Sequence, residues 1–159
     1  SPAGLAHSPV EDLAYMRSLA GIEIYSPAND KIAQKLVDLT ISDSKLRYIR
    51  LERSYPEVMD KIYSELQIDN GVLSRGSQLL KENSIGLNKD LCIISSGYML
   101  GRAFDVAEKL ELQGLGVSII DLFKINSIDE KYLLEKIKNH DTIVTIEEQF
   151  LSGGLSINL

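Results

Sequence analysis

The 159-residue chain contains a single cysteine, Cys92, and no apolar run long enough to span a membrane. One cysteine cannot form a disulfide within the chain, so the class of small disulfide-stabilised secreted proteins is excluded. Cys92 lies in the apolar run 91–94, which predicts a buried and unreactive thiol. No secretory signal peptide is recognised, and a cytoplasmic, reducing setting is therefore expected.

Positive charge is also scarce. The chain has 17 lysine and arginine residues against 23 aspartate and glutamate residues, which gives a formal net charge of −6. The basic residues are scattered, and their one local cluster is Arg47, Arg50 and Arg53. A chain without a basic face has no surface for a phosphate backbone or an anionic lipid, so neither a nucleic acid nor a membrane is an expected partner.

Several familiar motifs are missing as well. There is no GxGxxG dinucleotide fingerprint and no GxSxG nucleophile elbow. Asp121 and Glu147-Glu148 follow predicted strands, but without histidine or cysteine partners they form no recognisable metal site. The stretch Ser152-Gly153-Gly154 is too short for a phosphate-binding loop and predicts a turn.

Helix and strand patterns alternate along the first third of the chain. Ser8-Pro9-Val10-Glu11 is typical of a helix start, so a helix is predicted over 8–20. Strands are predicted over 22–25 and 46–51, and Asn29-Asp30 caps the helix between them. Strand–helix–strand spacing of this kind is typical of a parallel sheet. The predicted buried stripe of that helix consists of Ile32, Ala33, Leu36, Val37 and Leu39.

The last third repeats the alternation. The run 91–95 is typical of a parallel strand covered on both faces, and a helix is predicted over 98–112 with Ala103, Val106, Ala107 and Leu110 on one side. Strands are predicted over 117–121 and 142–146, with a helix over 129–138 between them. The sequence therefore predicts an α/β fold of two parallel-sheet, three-layer αβα units. The predicted domains are 1–55 and 89–159, and the turn-rich stretch 56–88 is predicted to connect them with one short helix.

Two residues are candidates for binding an anion. His7 lies in the loop before a predicted helix start, where free N–H groups and the helix dipole favour anions. Arg53 follows the second predicted strand, where open α/β sheets gather ligand-binding groups. The alternatives are an ordinary loop histidine and a solvated arginine. Arg47 and Arg50 alternate with Arg53 and are predicted to be ordinary surface charges.

Three stretches, taken in order, resemble the transketolase family. Residues 4–14 with Arg17-Ser18 are similar to the family's Gly-Pro-Thr-His-Gln-Pro-x-Glu-x-Leu-Ala and Arg-Ser, and residues 24–29 to its Arg-Pro-Ala-Asp turn. Residues 49–53 resemble the strand that ends in the family's phosphate-binding arginine. The family's carboxyl-terminal domain is resembled by 94–97, 120–125 and 144–148. The resemblance implies that residues 1–55 end a pyrimidine-binding domain and that 89–159 form a truncated transketolase C-terminal domain.

The resemblance implies a transferase that moves a two-carbon ketol unit between phosphorylated sugars by means of thiamine diphosphate and Mg2+. It implies that His7 is a catalytic residue that hydrogen-bonds the substrate and that Arg53 binds the sugar phosphate. The family's pyrimidine-activating glutamate and Gly-Asp-Gly magnesium motif are absent, so this chain alone is expected to be inactive, with no cofactor or metal ligands of its own. The implied partner is a second copy, as a homodimer, or a separately encoded N-terminal thiamine-diphosphate-binding subunit.

Departures from the family pattern leave alternatives open. Ala3, Ser8, Asn29 and Gln149 stand where the family has an acidic residue, Gln, Asp and His, and Ala3 leaves the sugar undefined. A deoxyxylulose-phosphate synthase or the beta subunit of a 2-oxo-acid dehydrogenase is an alternative. The pair His7-Ser8 favours the dehydrogenase subunit, whereas Arg17 and Arg53 favour a sugar-phosphate enzyme. A non-catalytic dimerisation module is an alternative of another class, and it predicts no phosphate affinity at Arg53.

Overall fold

A computed structural model describes residues 10–83, 90–150 and 153–158. Strands β1 (Glu23–Tyr25) and β2 (Arg47–Ile49) pair in parallel. A second sheet has four strands in the order β3-β5-β4-β6, and β4 pairs in parallel with both β5 and β6. The predicted α/β fold is confirmed. Its strands are β3 (Gln78–Lys81), β4 (Leu91–Ser95), β5 (Val117–Asp121) and β6 (Thr142–Ile146).

Six α-helices lie within the described residues. The helices predicted between the strands of both sheets are confirmed, and none of the described helices is long and apolar enough to cross a bilayer. The predicted helix start at Ser8 lies outside the described residues. The helices are α1 (Asp12–Arg17), α2 (Asp30–Ser42), α3 (Glu57–Glu65), α4 (Asn70–Arg75), α5 (Met99–Glu111) and α6 (Glu130–Ile137), followed by a 3-10 helix over Leu155–Asn158.

The stretch between β2 and β4 contains more structure than the predicted single helix. The residues expected to form turns instead cap a second helix, α4. Asp69 accepts the N–H of Val72 at 2.9 Å, and Gly76 ends the helix with φ 81°. The next residues form β3, which pairs antiparallel with β5 and was not predicted. The division into domains at 1–55, 56–88 and 89–159 stays a prediction.

Two apolar cores lie on opposite faces of the four-stranded sheet, because successive side chains of a strand point to opposite faces. Ile93 belongs to one core with the inner face of α5, and Ile94 belongs to the other with α6. Both cores also contain residues of the first sheet, Tyr25 in one and Ile24 in the other. Cys92 is fully buried, as predicted.

The predicted apolar faces of two helices are too wide. Val37 on α2 is 52% exposed, so its assignment to the buried stripe was wrong, and Val106, predicted on the apolar side of α5, is 38% exposed. Each helix buries a narrower row: Ile32 and Leu36 are fully buried on α2, and α5 buries small alanines at Ala103 and Ala107. A single row at i, i+4 spacing suffices where one short sheet or one neighbouring helix covers the face.

The loop after β5 connects the two sheets. The N–H of Ser26 donates to the carbonyl of Phe123 at 2.7 Å, and the N–H of Ile125 donates to the carbonyl of Ile24 at 2.8 Å. The side chain of Asn126 accepts from the N–H of Ile24 and donates to the carbonyl of Ile22, both at 2.8 Å. The end of β1 is therefore fixed directly beside the end of β5.

Candidate functional site at the carboxyl ends of the strands

The carboxyl ends of strands from both sheets meet around one small cavity. Ser26 follows β1, Arg50 follows β2, Ser96 follows β4, and Glu147, Glu148 and Gln149 follow β6. Ligand-binding groups of open α/β sheets gather at this edge. The cavity has a volume of about 10 Å³, which is room for about one water molecule.

Arg50 is the central charge of this cluster. Its Nε lies 2.9 Å from Asp12 Oδ2, its Nη2 lies 2.6 Å from Glu148 Oε1, and its Nη1 contacts Glu52 Oε1. The side chain is only 14% exposed, so the prediction that Arg50 is an ordinary surface charge was wrong. Burial of a guanidinium is tolerated here because three carboxylates compensate it.

Arg47 departs from the prediction in the same way. Its side chain is 2% exposed, with Nε 2.9 Å from Glu23 Oε2 and Nη2 2.7 Å from Asp43 Oδ2. The prediction that Arg47 is an ordinary surface charge was therefore wrong. The sequence carries only part of the signal, because Asp43 and Glu52 are close to these two arginines in the chain whereas Glu23 is not.

The surrounding carboxylates stabilise the charged form of Arg50. Burial would lower the pKa of Arg50, but Glu52, Glu148 and Asp12 together raise that pKa above its ordinary value. Burial also raises the pKa of Glu52, against the attraction of Arg50 and with the repulsion of Glu148 and Asp12. Because its donors already meet protein carboxylates, Arg50 is not available to bind a phosphate group.

Arg53 differs from Arg50 in its surroundings. It lies three residues further along the same loop, it is exposed, and no described residue forms an ion pair or hydrogen bond with it. Its guanidinium is therefore free to meet a ligand. The role of Arg53 in phosphate binding stays a prediction. His7, Ala3 and Ser8 lie outside the described residues, so their predicted roles stay predictions as well.

Glu147 stabilises the start of the 3-10 helix over Leu155–Asn158. Its carboxylate accepts from the N–H groups of Leu155 and Ser156, the latter at 3.2 Å, and so caps the 3-10 helix. A Cβ on Gly154 would lie 2.0 Å from Glu147 Oε2, which explains a glycine at this close approach. Across the described ranges, no three His, Cys, Asp or Glu residues are grouped to hold a metal ion.

Gln149, which stands where the family has a histidine, belongs to the cluster as well. In the structure its side-chain amide lines the cavity, and both amide atoms are buried without a hydrogen-bond partner among the described residues. Asp12 Oδ1 is in the same state. Buried polar atoms of this kind are commonly satisfied by ordered water, for which the cavity has room.

The cavity does not fit thiamine diphosphate. Its volume of about 10 Å³ is far below that of a cofactor, and Arg50 is engaged by carboxylates that would repel a diphosphate. No chemical step through the cofactor follows from these residues.

Parallel-rich sheets with helices packed on them, and polar groups gathered at the carboxyl ends of the strands, define an α/β protein. Residues 83–159 match the family described as transketolase, C-terminal domain. This carboxyl-terminal part of the chain belongs to the transketolase family and is a transketolase C-terminal domain.

Individual relatives match nearly the whole chain. A 1-deoxy-D-xylulose-5-phosphate synthase of Carboxydothermus hydrogenoformans is 29% identical over 95% of this chain and 23% of its own length. A 6-deoxy-6-sulfo-D-fructose transketolase subunit of a Clostridium species is 30% identical over 96% of this chain and 44% of its own length. A structure described as a split gene transketolase, inactive beta4 tetramer, superposes with a TM-score of 0.79 and 30% identity over 97% of this chain and 48% of that one. The chain thus spans less than half the length of these relatives.

Proposed function

We propose that this chain is the carboxyl-terminal part or subunit of a transketolase-like enzyme that transfers a two-carbon ketol unit between phosphorylated sugars. One observation carries the proposal. Almost the whole chain, 96–97%, matches about half of two proteins described as a transketolase subunit and a split gene transketolase. Such an enzyme is expected to work in the cytoplasm.

The remaining half of the enzyme is expected on a separately encoded N-terminal subunit or in a longer homodimeric chain. That half would supply the ligands of thiamine diphosphate and Mg2+, because the described residues form neither site. Thiamine diphosphate, when bound, provides the electron sink for the cleaved two-carbon unit. The present chain would contribute substrate contacts and remain inactive alone.

Arg53 is the residue we assign to the sugar phosphate, and His7 is assigned to a substrate oxygen. Support for Arg53 comes from its exposure and from its position on the loop after β2, where the neighbouring Arg50 is already neutralised. A guanidinium is suited to the task because its planar fork can donate to two phosphate oxygens at once.

Kinetics of the complete enzyme test the assignment. Arg53→Ala should raise the Michaelis constant for phosphorylated sugars roughly tenfold or more, since a charge-assisted contact is worth about 1.5–3 kcal/mol. The constant for an unphosphorylated ketose should not change. Lys131→Ala is the matched control, because Lys131 is also an exposed cation but lies on α6. An unchanged Michaelis constant in Arg53→Ala would refute the phosphate assignment.

A second candidate is a deoxyxylulose-phosphate synthase, favoured by the 29% identity over 154 residues to such an enzyme. The two candidates differ in their product. Analysis of the complete enzyme should find ketol transfer between two phosphorylated sugars. Formation of 1-deoxy-D-xylulose 5-phosphate would establish the second candidate, and a dehydrogenase beta subunit would give neither product.

A further inference from the structure

A carboxyl group is completely buried in the core at the end of β5. Asp121 is 0% exposed and accepts a hydrogen bond at Oδ2 from the hydroxyl of Tyr63, which is also 0% exposed. The other oxygen, Oδ1, has no hydrogen-bond partner among the described residues. An ionised carboxylate in such a place is costly, because a single hydrogen bond replaces the full hydration it has in water.

Within the described part of the chain, no cation is paired with Asp121, and Arg102 of α5, the helix that packs on β5, is exposed and paired with Asp105. From α3 Asp121 meets Tyr63, and the residues in register with it on β3 and β4 are Gln78 and Ser95, neither of which carries a charge. Lys124 follows three residues later, but its ammonium lies 3.0 Å from Glu23 Oε1. Burial accordingly raises the pKa of Asp121 to about 8, and the hydrogen bond from Tyr63 opposes this only in part.

Helix α3 carries Tyr63, the hydrogen-bond donor to Asp121. It is anchored by the buried side chains Met59 and Tyr63 and by Lys31 Nζ, which donates to the carbonyl of Tyr63 at 2.7 Å. The same helix begins four residues after Arg53. If Tyr63 leaves the core, water reaches the carboxyl group and the loop that carries Arg53 loses its fixed end.

We propose that Asp121 and Tyr63 form a pH-sensitive latch, in which the protonated carboxyl keeps α3 attached to the sheet and its ionisation favours detachment. The link from the latch to substrate binding rests on the proposed function of Arg53. The latch itself is a property of this chain and needs no substrate.

The sign of the effect follows from proton linkage. In the closed state, with α3 attached to the sheet, Asp121 keeps its proton up to about pH 8. In the open state, with α3 detached, the pKa of Asp121 returns to the ordinary value of about 3.9. Detachment of α3 therefore releases one proton from Asp121 at any pH between these two pKa values. The opening equilibrium constant should rise by up to about tenfold per pH unit from about pH 4 to about pH 8 and stay level above that.

Hydrogen exchange of the α3 amides, corrected for the intrinsic exchange rate and measured from pH 5 to pH 9, tests the latch. The wild-type opening constant should rise with pH and then level off, whereas Asp121→Asn should show no such rise. Asp105→Asn is the matched control, because that carboxylate is 60% exposed on α5, and it should behave as wild type. A rise that persists in Asp121→Asn, or its absence in the wild type, would overturn the proposal.

Tyr63→Phe provides a second variant that keeps the buried carboxyl and removes its donor. Because that donor lowers the pKa of Asp121, its loss should move the levelling of the opening constant to higher pH. An unchanged profile would speak against the latch. The exchange experiment uses no substrate, so its failure leaves the Arg53 assignment standing, and a failure of Arg53→Ala in kinetics leaves the latch standing.

Discussion

Arg50 Nη2 and Glu148 Oε1 lie 2.6 Å apart and join the carboxyl ends of β2 and β6. This ion pair connects the two sheets. Asp12 and Glu52 bind the same guanidinium, so all three ion-pair partners of Arg50 are carboxylates. One cation therefore holds three anions from three segments of the chain. Substitution of Arg50 should therefore lower the free energy of unfolding more than substitution of any one of its three acidic partners.

Arg50→Met should destabilise the protein by about 3 kcal/mol or more, because it leaves partly buried carboxylates without a counter-charge. Glu148→Gln should cost less than about 1 kcal/mol, because Glu148 is 35% exposed and two carboxylates still face Arg50. Urea unfolding of both variants measures the difference. Equal losses would mean that the cluster does not act through its central cation.

Gly76→Ala should be among the more damaging glycine substitutions. Gly76 has φ 81°, and an added Cβ would lie 2.4 Å from Lys124 Cβ. Gly114→Ala is the matched control, since Gly114 has φ 85° with no atom within 4 Å of an added Cβ. The control should cost about 1 kcal/mol for the left-handed backbone, and Gly76→Ala should cost at least about 1 kcal/mol more for the displaced neighbour. Equal midpoints in urea would contradict the steric explanation.

Glu23 should make stability depend on acid. Burial would raise the pKa of Glu23, but Lys124, Lys45 and Arg47 together lower it below its ordinary value. A depressed pKa contributes stability above the ordinary value near 4.3, and that contribution is lost as the pH falls through the folded-state pKa. As the pH is lowered from 6 to 3, the free energy of unfolding should therefore fall more steeply in the wild type than in Glu23→Gln. Glu108→Gln, at an exposed position on α5, should keep the wild-type slope.

Asn29 should be preferable here to the aspartate expected from the family. Its Oδ1 accepts the N–H of Ile32 at 3.0 Å, and its Nδ2 lies 3.5 Å from Asp60 Oδ1. Asn29→Ala should cost about 1 kcal/mol through loss of the cap. Asn29→Asp should keep the cap but repel Asp60, so Asp60→Asn should restore the stability of that variant. Thermal unfolding of the three variants would show whether the restoration occurs.

The sequence predicted the alternating elements because their apolar periods and caps are local properties. It missed β3 because Gln78–Lys81 alternates weakly and depends on β5 for its pairing. It also interpreted Arg47 and Arg50 as surface charges, since their acidic partners Glu23, Asp12 and Glu148 come from distant parts of the chain. Burial of a charge is decided by such long-range partners. Local patterns cannot report them.

Two backbone hydrogen bonds, Ser26 to Phe123 and Ile125 to Ile24, join the end of β1 to the loop after β5. Segments about a hundred residues apart in the chain are therefore direct neighbours in the fold. The end of β1 is held by the loop after β5 in addition to its own covalent continuation into α2. We therefore expect a single proteolytic cut between β2 and α3 to leave two fragments that remain together. Such a nicked protein would behave as one particle until denatured.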